Sequence, residues 1–209
     1  MLPQSVLQGV LGDLPENMTE LNERNARQMW QQKSAHISME GRPPDNKYGL
    51  SDMTMMGKYM QGLMTAMKSQ EFRHFLETLS GIGPLMNDDT NEGGGIHQTG
   101  PGGSLQIHAD FNGGETWHRR VNAFVMLNPD WEKEWNGDLE LWTRDMERCE
   151  ARMAPIANRL VIFSTTDYTY HGHADPLFCP NHRSRRSVAM YYYTKTRPEW
   201  EIKLSLIHI

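Results

Sequence analysis

The stretch His108-Ala109-Asp110 puts an imidazole and a carboxylate two residues apart. On a β-strand such residues face the same side, roughly 7 Å apart at Cα, so both can converge on one metal ion from a rigid element. The spacing alone carries little. With 9 histidines and 26 acidic residues among 209, composition yields roughly one His-x-acid match, and the chain holds a second at His173-Ala174-Asp175. Context separates them. Leu105, Ile107, Ala109 and Phe111 alternate with Gln106, His108 and Asp110, giving one apolar face and one face rich in ligand atoms. In a solvent-facing strand that polar face meets water. In a jelly roll with an interior site, the apolar face packs outward against helices and the polar face lines the cavity. The second match runs into Pro176, which suits a loop.

A second chemical pattern lies near the end of the chain. If Arg185 to Thr194 is a strand, Arg185, Ser187, Ala189 and Tyr191 share one face, and Arg186, Val188, Met190 and Tyr192 the other. Arg185 and Ser187 then offer a guanidinium fork and a hydroxyl to the same carboxylate. Arg186 takes that place if a bulge offsets the alternation. Asn122, Phe124 and Met126 share a face of another strand and are expected to line the same pocket. The bland alternative is a solvated basic edge of His182, Arg183, Arg185 and Arg186. The formal net charge of -5 disfavours a broad grip on nucleic acid or an anionic membrane.

The elements that must carry these residues change character near Gly81. Before it the periodicity is helical: Met56, Tyr59, Met60, Leu63 and Met67 recur at three- and four-residue steps, as do Phe72, Phe75, Leu76 and Leu79. Asn17 to Gln32 reads as a polar surface helix ended by Gly41-Arg42-Pro43-Pro44. The methionine stripe reads as core filling. After Gly81, strands are expected over Gly103–Phe111, Arg120–Asn128, Asp138–Trp142, Arg148–Met153, Asn158–Thr165 and Arg185–Thr194, separated by Gly/Asn turns. The glycine-dense stretch 92–103 leads into period-two alternation rather than a helix, so it reads as a turn into a strand and not as a phosphate loop. The class expected is α+β, mainly β: a jelly roll with supporting N-terminal helices. The division is residues 1–80 helix and loop, 81–200 the β domain and 201–209 a tail that departs from the preceding polar text.

Taken in order, His108-Ala109-Asp110, the distal Tyr170-His171-Gly172-His173 and Arg185-Arg186-Ser187 resemble the Fe(II)/2-oxoglutarate-dependent dioxygenases. Gly93-Gly94-Gly95-Ile96-His97, Leu127-Asn128-Pro129-Asp130-Trp131, Gly137-Asp138-Leu139-Glu140-Leu141-Trp142 and Tyr191-Tyr192-Tyr193-Thr194 are similar to the prolyl-4-hydroxylase-like branch. The resemblance covers about Glu71 to Pro198 and implies a double-stranded β-helix, cupin-like. It implies a facial triad of His108, Asp110 and His171 on Fe(II), which leaves metal positions open for oxygen chemistry. It further implies 2-oxoglutarate held by Arg185 and Ser187 with Asn122 and Met126 beside it, O2 as oxidant and L-ascorbate as an optional reductant. Succinate and CO2 are the implied coproducts, and a prolyl residue of a peptide or protein, or a small molecule, is the implied substrate. Met126 stands where related enzymes place a tyrosine. His171 fits the short turn after the Asn158–Thr165 strand better than His173, which is expected to support it. His97, His118 and His182 are assigned no part, and Trp117, Arg119, Arg120 and Trp142 are expected near an entrance.

Other classes fit less of the pattern. A catalytic zinc hydrolase uses two histidines and a carboxylate but has no use for Arg185 and Ser187, and a non-catalytic jelly-roll module has no use for the triad. Cys149 and Cys179 are too few for a disulfide scaffold. No apolar run reaches the roughly 18 residues of a membrane span and no basic residue precedes Leu14, so neither membrane nor secretion is expected, and the location read is cytoplasmic.

Overall fold

The computed structural model describes residues 1–15, 46–88, 93–110, 113–114 and 117–199. The polar helix expected at Asn17–Gln32, the Gly41–Pro44 break and the 201–209 tail lie outside the described residues.

Helix α1 spans Gln4–Gly12, α2 Lys58–Lys68 and α3 Gln70–Ser80. The last two are the helices the spacing predicts: Met60, Leu63, Met64 and Met67 form the buried face of α2 and Leu76 is the fully buried residue of α3. Asp13, just past α1, accepts from the backbone N–H groups of Tyr59 and Met60 at 2.7 and 3.0 Å, supplying from a distance the cap that Gly57 lacks. Gly57 is needed there because a Cβ would run into the Asp13 carboxylate. Ser69 caps α3 by accepting from Phe72 N at 3.1 Å. Gly81, at φ 69°, closes it with its N–H on Glu77 O.

Two antiparallel sheets follow. The larger contains β1 (Lys47–Leu50), β2 (Met86–Asn87), β3 (Gly95–Thr99), β5 (Gly113–Gly114), β6 (Trp117–Met126), β9 (Arg159–Ser164) and β11 (Arg185–Thr194). The smaller has the order β4 (Leu105–His108), β10 (Tyr170–His173), β7 (Leu139–Trp142) and β8 (Cys149–Met153). Among the described residues no helix is long and apolar enough to cross a membrane.

The central strands β6 and β11 are largely buried on both faces because both are covered. Val121, Ala123, Val125, Val188, Met190 and Tyr192 pack with Met60, Leu63, Met64, Met67 and Leu76 of the helices, and the Tyr192 hydroxyl donates to Met67 O at 2.7 Å. On the other face Phe124 and Met126 meet Val161 and Phe163 of β9 and Leu139, Leu141 and Met153 of the smaller sheet. Burial of side chains of this size contributes about 1.5–3 kcal/mol each.

Two expectations change here. The helices cover the larger sheet, whereas His108 lies on the smaller one, and Leu105 and Ile107 are only half-buried. Their outward face is therefore not packed on the helices. A strand, β1, also precedes residue 81. Four residues are too few to show a period, and its pairing comes from β3, with Leu50 opposite Ile96. Gly95, at φ 104°, permits this approach, since a Cβ would strike the Leu50 carbonyl.

Candidate active site

His108 ends β4, and His171 on β10 is its register partner. Directly opposed residues of an antiparallel pair project to one side, so the two rings stand 4.5 Å apart between centroids. Asp110, two residues on, brings Oδ1 to 3.7 Å from His108 Nε2 and Oδ2 to 3.5 Å from His171 Nε2. One ligand atom from each residue lies within 4.8 Å of the others.

The tautomers follow from the second nitrogen. His108 Nδ1 is 2.7 Å from Gln106 O and His171 Nδ1 is 3.2 Å from Thr169 O. A carbonyl only accepts, so both Nδ1 atoms carry the hydrogen and both Nε2 lone pairs face Asp110. Two imidazole lone pairs and a carboxylate oxygen form a donor set that fits a divalent transition metal. Burial pushes the His171 pKa down to about 4, with His108 and Arg119 adding to the fall and Asp110 opposing it. The ring is neutral at physiological pH, as a ligand must be.

Asp110 is itself held. Its Oδ2 accepts from Asn122 Nδ2 at 2.7 Å and pairs with Arg119 at 3.0 Å. The Arg119 guanidinium lies 3.7 Å from the centre of the Tyr191 ring. Burial alone would raise the Asp110 pKa, but Arg119, His171, Asn122 and His108 together hold it below the usual carboxylate value. Phe163 borders the site, 4.9 Å from the His171 ring.

Register extends the site along β11. Tyr191, Ala189 and Ser187 oppose Asn122, Phe124 and Met126, so the two strand faces grouped by alternation form one interior wall. Arg185 is 7% exposed, its Nε donates to Gly137 O at 2.6 Å, and among the described residues no carboxylate forms an ion pair with it. Burial lowers its pKa to about 10, with Asp138 opposing the fall, which leaves it cationic. Arg186 points elsewhere: its Nε donates to Ser184 Oγ at 2.9 Å.

Three placements differ from the sequence reading. Asn122 lies on the expected face, but its amide is engaged by Asp110. His97, assigned no part, is the register partner of Ser187 and its Nε2 bonds Gly93 O at 2.8 Å. Burial first, with Lys47, Arg185 and Arg119 adding, pushes its pKa to about 3 against the opposing Gly93 bond. Arg119 grips the Asp110 carboxylate, while Trp142 donates to Glu140 Oε2 at 2.8 Å and Trp117 is exposed beside Tyr193. The strand period could have found Tyr191. Nothing local predicts the Arg119–Asp110 pair, which depends on the approach of two sheets.

Residues 94–193 match the family model of the 2OG-Fe(II) oxygenase superfamily. Among solved structures the chain is similar to a Pseudomonas putida prolyl-4-hydroxylase, at TM-score 0.54 and 17% identity over 91% of this chain and 87% of that one. It is also similar to a Trichoplax adhaerens prolyl hydroxylase solved with a peptide fragment of the hypoxia inducible factor oxygen degradation domain. That likeness has TM-score 0.51 and 17% identity over 98% and 83% of the two chains. At such identities the likeness is one of fold, and the mainly β, double-stranded β-helix expectation holds. No curated protein sequence matches the chain.

Proposed function

Residues 94–193 belong to the 2OG-Fe(II) oxygenase superfamily, so the chain is an iron- and 2-oxoglutarate-dependent oxygenase, and we propose that it hydroxylates a C–H bond of a prolyl residue in a peptide or protein. The observation that supports the site assignment is the pairing of a three-donor cluster, His108, Asp110 and His171, with a buried arginine that lacks a carboxylate partner among the described residues. A buried guanidinium needs an anion, and a 2-oxo dicarboxylate supplies one at the end remote from its metal-binding head.

Iron with 2-oxoglutarate and O2 supplies the oxidising equivalent, with succinate and CO2 as coproducts. The chain's own residues do the rest. His108 and His171 offer their Nε2 lone pairs, and each stays aimed because its Nδ1–H is fixed to a backbone carbonyl. Asp110 offers Oδ1, since Arg119 and Asn122 hold Oδ2. Arg185 and Ser187 bind the distal carboxylate of the cosubstrate. Phe124, Met126 and Phe163 give that end of the pocket an apolar wall that excludes water and strengthens the ionic contact.

The peptide substrate is supported by the fold likeness to prolyl hydroxylases, one of them solved with a peptide. The test is succinate release by the Fe(II)-loaded protein over a panel of proline-containing peptides and free amino acids, with mass spectrometry of each product. A one-oxygen mass gain on a prolyl residue is expected. Turnover confined to free amino acids would replace the peptide with a small molecule.

A further inference from the structure

Among the described residues, four histidines stand in the site region, and three have their ring N–H engaged. A neutral imidazole has one N–H and one lone pair. In His108, His171 and His97 the N–H is used on the carbonyls of Gln106, Thr169 and Gly93. His173 is 3% exposed and its buried Nδ1 has no partner among the described residues. A buried polar atom left without a partner is costly, so an unpaired nitrogen in such a place points to a partner that arrives with a ligand.

The neighbourhood says what kind of ligand. A cavity of about 140 Å3 has Gly137 and His173 in its wall, with the carboxylates of Asp138, Glu140 and Asp175 set against the cations of Lys133 and Arg152. The Gly137 carbonyl holds Arg185 Nε, so Gly137 links Arg185 to the wall that His173 lines. A buried cation thus stands near an imidazole nitrogen that no described residue engages. Across β11 from Ser187 stands Met126, an apolar side chain with no hydroxyl to give.

Resting on the reading of Arg185 as the cosubstrate anchor, we propose that His173 is a specificity residue whose imidazole N–H donates to the distal carboxylate of 2-oxoglutarate beside Arg185. Arg185 supplies the charge, and His173 supplies a directed donor that helps select a dicarboxylate over a shorter 2-oxo acid.

The test is oxygen-free titration calorimetry on Mn(II)-loaded protein, with 2-oxoglutarate and with pyruvate, which keeps the 2-oxo acid head and lacks the distal carboxylate. Wild type is compared with His173→Val and His173→Asn, and Mn(II) affinity is measured for each. The expected result is a loss of about tenfold in 2-oxoglutarate affinity for His173→Val, most of it restored in His173→Asn, with pyruvate and Mn(II) binding unchanged. Equal 2-oxoglutarate binding by wild type and His173→Val overturns the inference and leaves the oxygenase reading standing. Parallel losses for both acids reduce His173 to a packing role, and loss of Mn(II) makes it a metal ligand; either overturns it. Absence of 2-oxoglutarate binding in the Mn(II)-loaded wild type overturns the reading of Arg185 as well.

Discussion

His171 and His108 face each other directly across the β10–β4 ladder, and each spends its Nδ1–H on a carbonyl two residues back along the chain. The pairing makes two lone pairs converge without any movement of the backbone. It also separates His171 from His173, which lies beyond the irregularity that shifts the β10 register to Leu105. We therefore expect His171→Ala to lower metal affinity by more than about 100-fold, beyond the usual cost of losing an outer-shell partner. His173→Val should keep it. Competition titration against a metal chelator reads the difference.

Arg119 and Asn122 restrain one oxygen of Asp110, and that restraint has a measurable cost when removed. Arg119→Ala and Asn122→Ala should each weaken metal binding by about 10–100-fold while the protein stays folded. Arg119→Lys should recover only part of the loss, because an ammonium can pair with Asp110 but cannot stack its plane on Tyr191. Unchanged affinity in both alanine variants would mean that Asp110 is positioned by its strand alone.

Acid should weaken the metal-free fold. His97 and His171 have pKa values of about 3 and about 4 in the fold, below the ordinary 6.5 or so of an unfolded histidine. Below that ordinary value the unfolded chain takes up protons that the folded chain refuses, so stability is full above it and falls as pH drops towards the folded values. The slope is about 1.4 kcal/mol per pH unit for each such histidine. Urea unfolding of chelator-treated protein at pH 7 and pH 5 measures it, and His97→Asn should flatten the dependence.

Asp13 links α1 to the first turn of α2. Asp13→Ala removes two charge-assisted bonds to backbone N–H groups and should destabilise the protein by about 1–2 kcal/mol, read from the denaturation midpoint. Succinate release at a temperature where the variant stays folded should be unaffected.

The sequence was most legible where period and burial agree. Arg185–Thr194 is a strand over the range that alternation predicts, and its two faces divide as expected because one meets the helices and the other, with Arg185, Ser187 and Tyr191, lines the site. The methionines of α2 are core. Helix α1 and strands β1 and β10 were harder to read. The apolar positions of α1 take their meaning from α2, and the Tyr170–His173 strand carries a glycine and two histidines where a strand former would stand. The triad residues were readable as a pattern, but the Asp110–Arg119 grip and the unpaired His173 ring depend on which strands become neighbours.

The central claim is that one interior site takes both a metal on His108, Asp110 and His171 and a 2-oxo dicarboxylate on Arg185. It is tested most directly by adding 2-oxoglutarate to the Fe(II)-loaded protein without oxygen and recording the visible spectrum. The account predicts a weak charge-transfer band that saturates with 2-oxoglutarate, is absent in Asp110→Ala, and needs far more 2-oxoglutarate in Arg185→Ala. No band in the wild type, or identical saturation in Arg185→Ala, would contradict it.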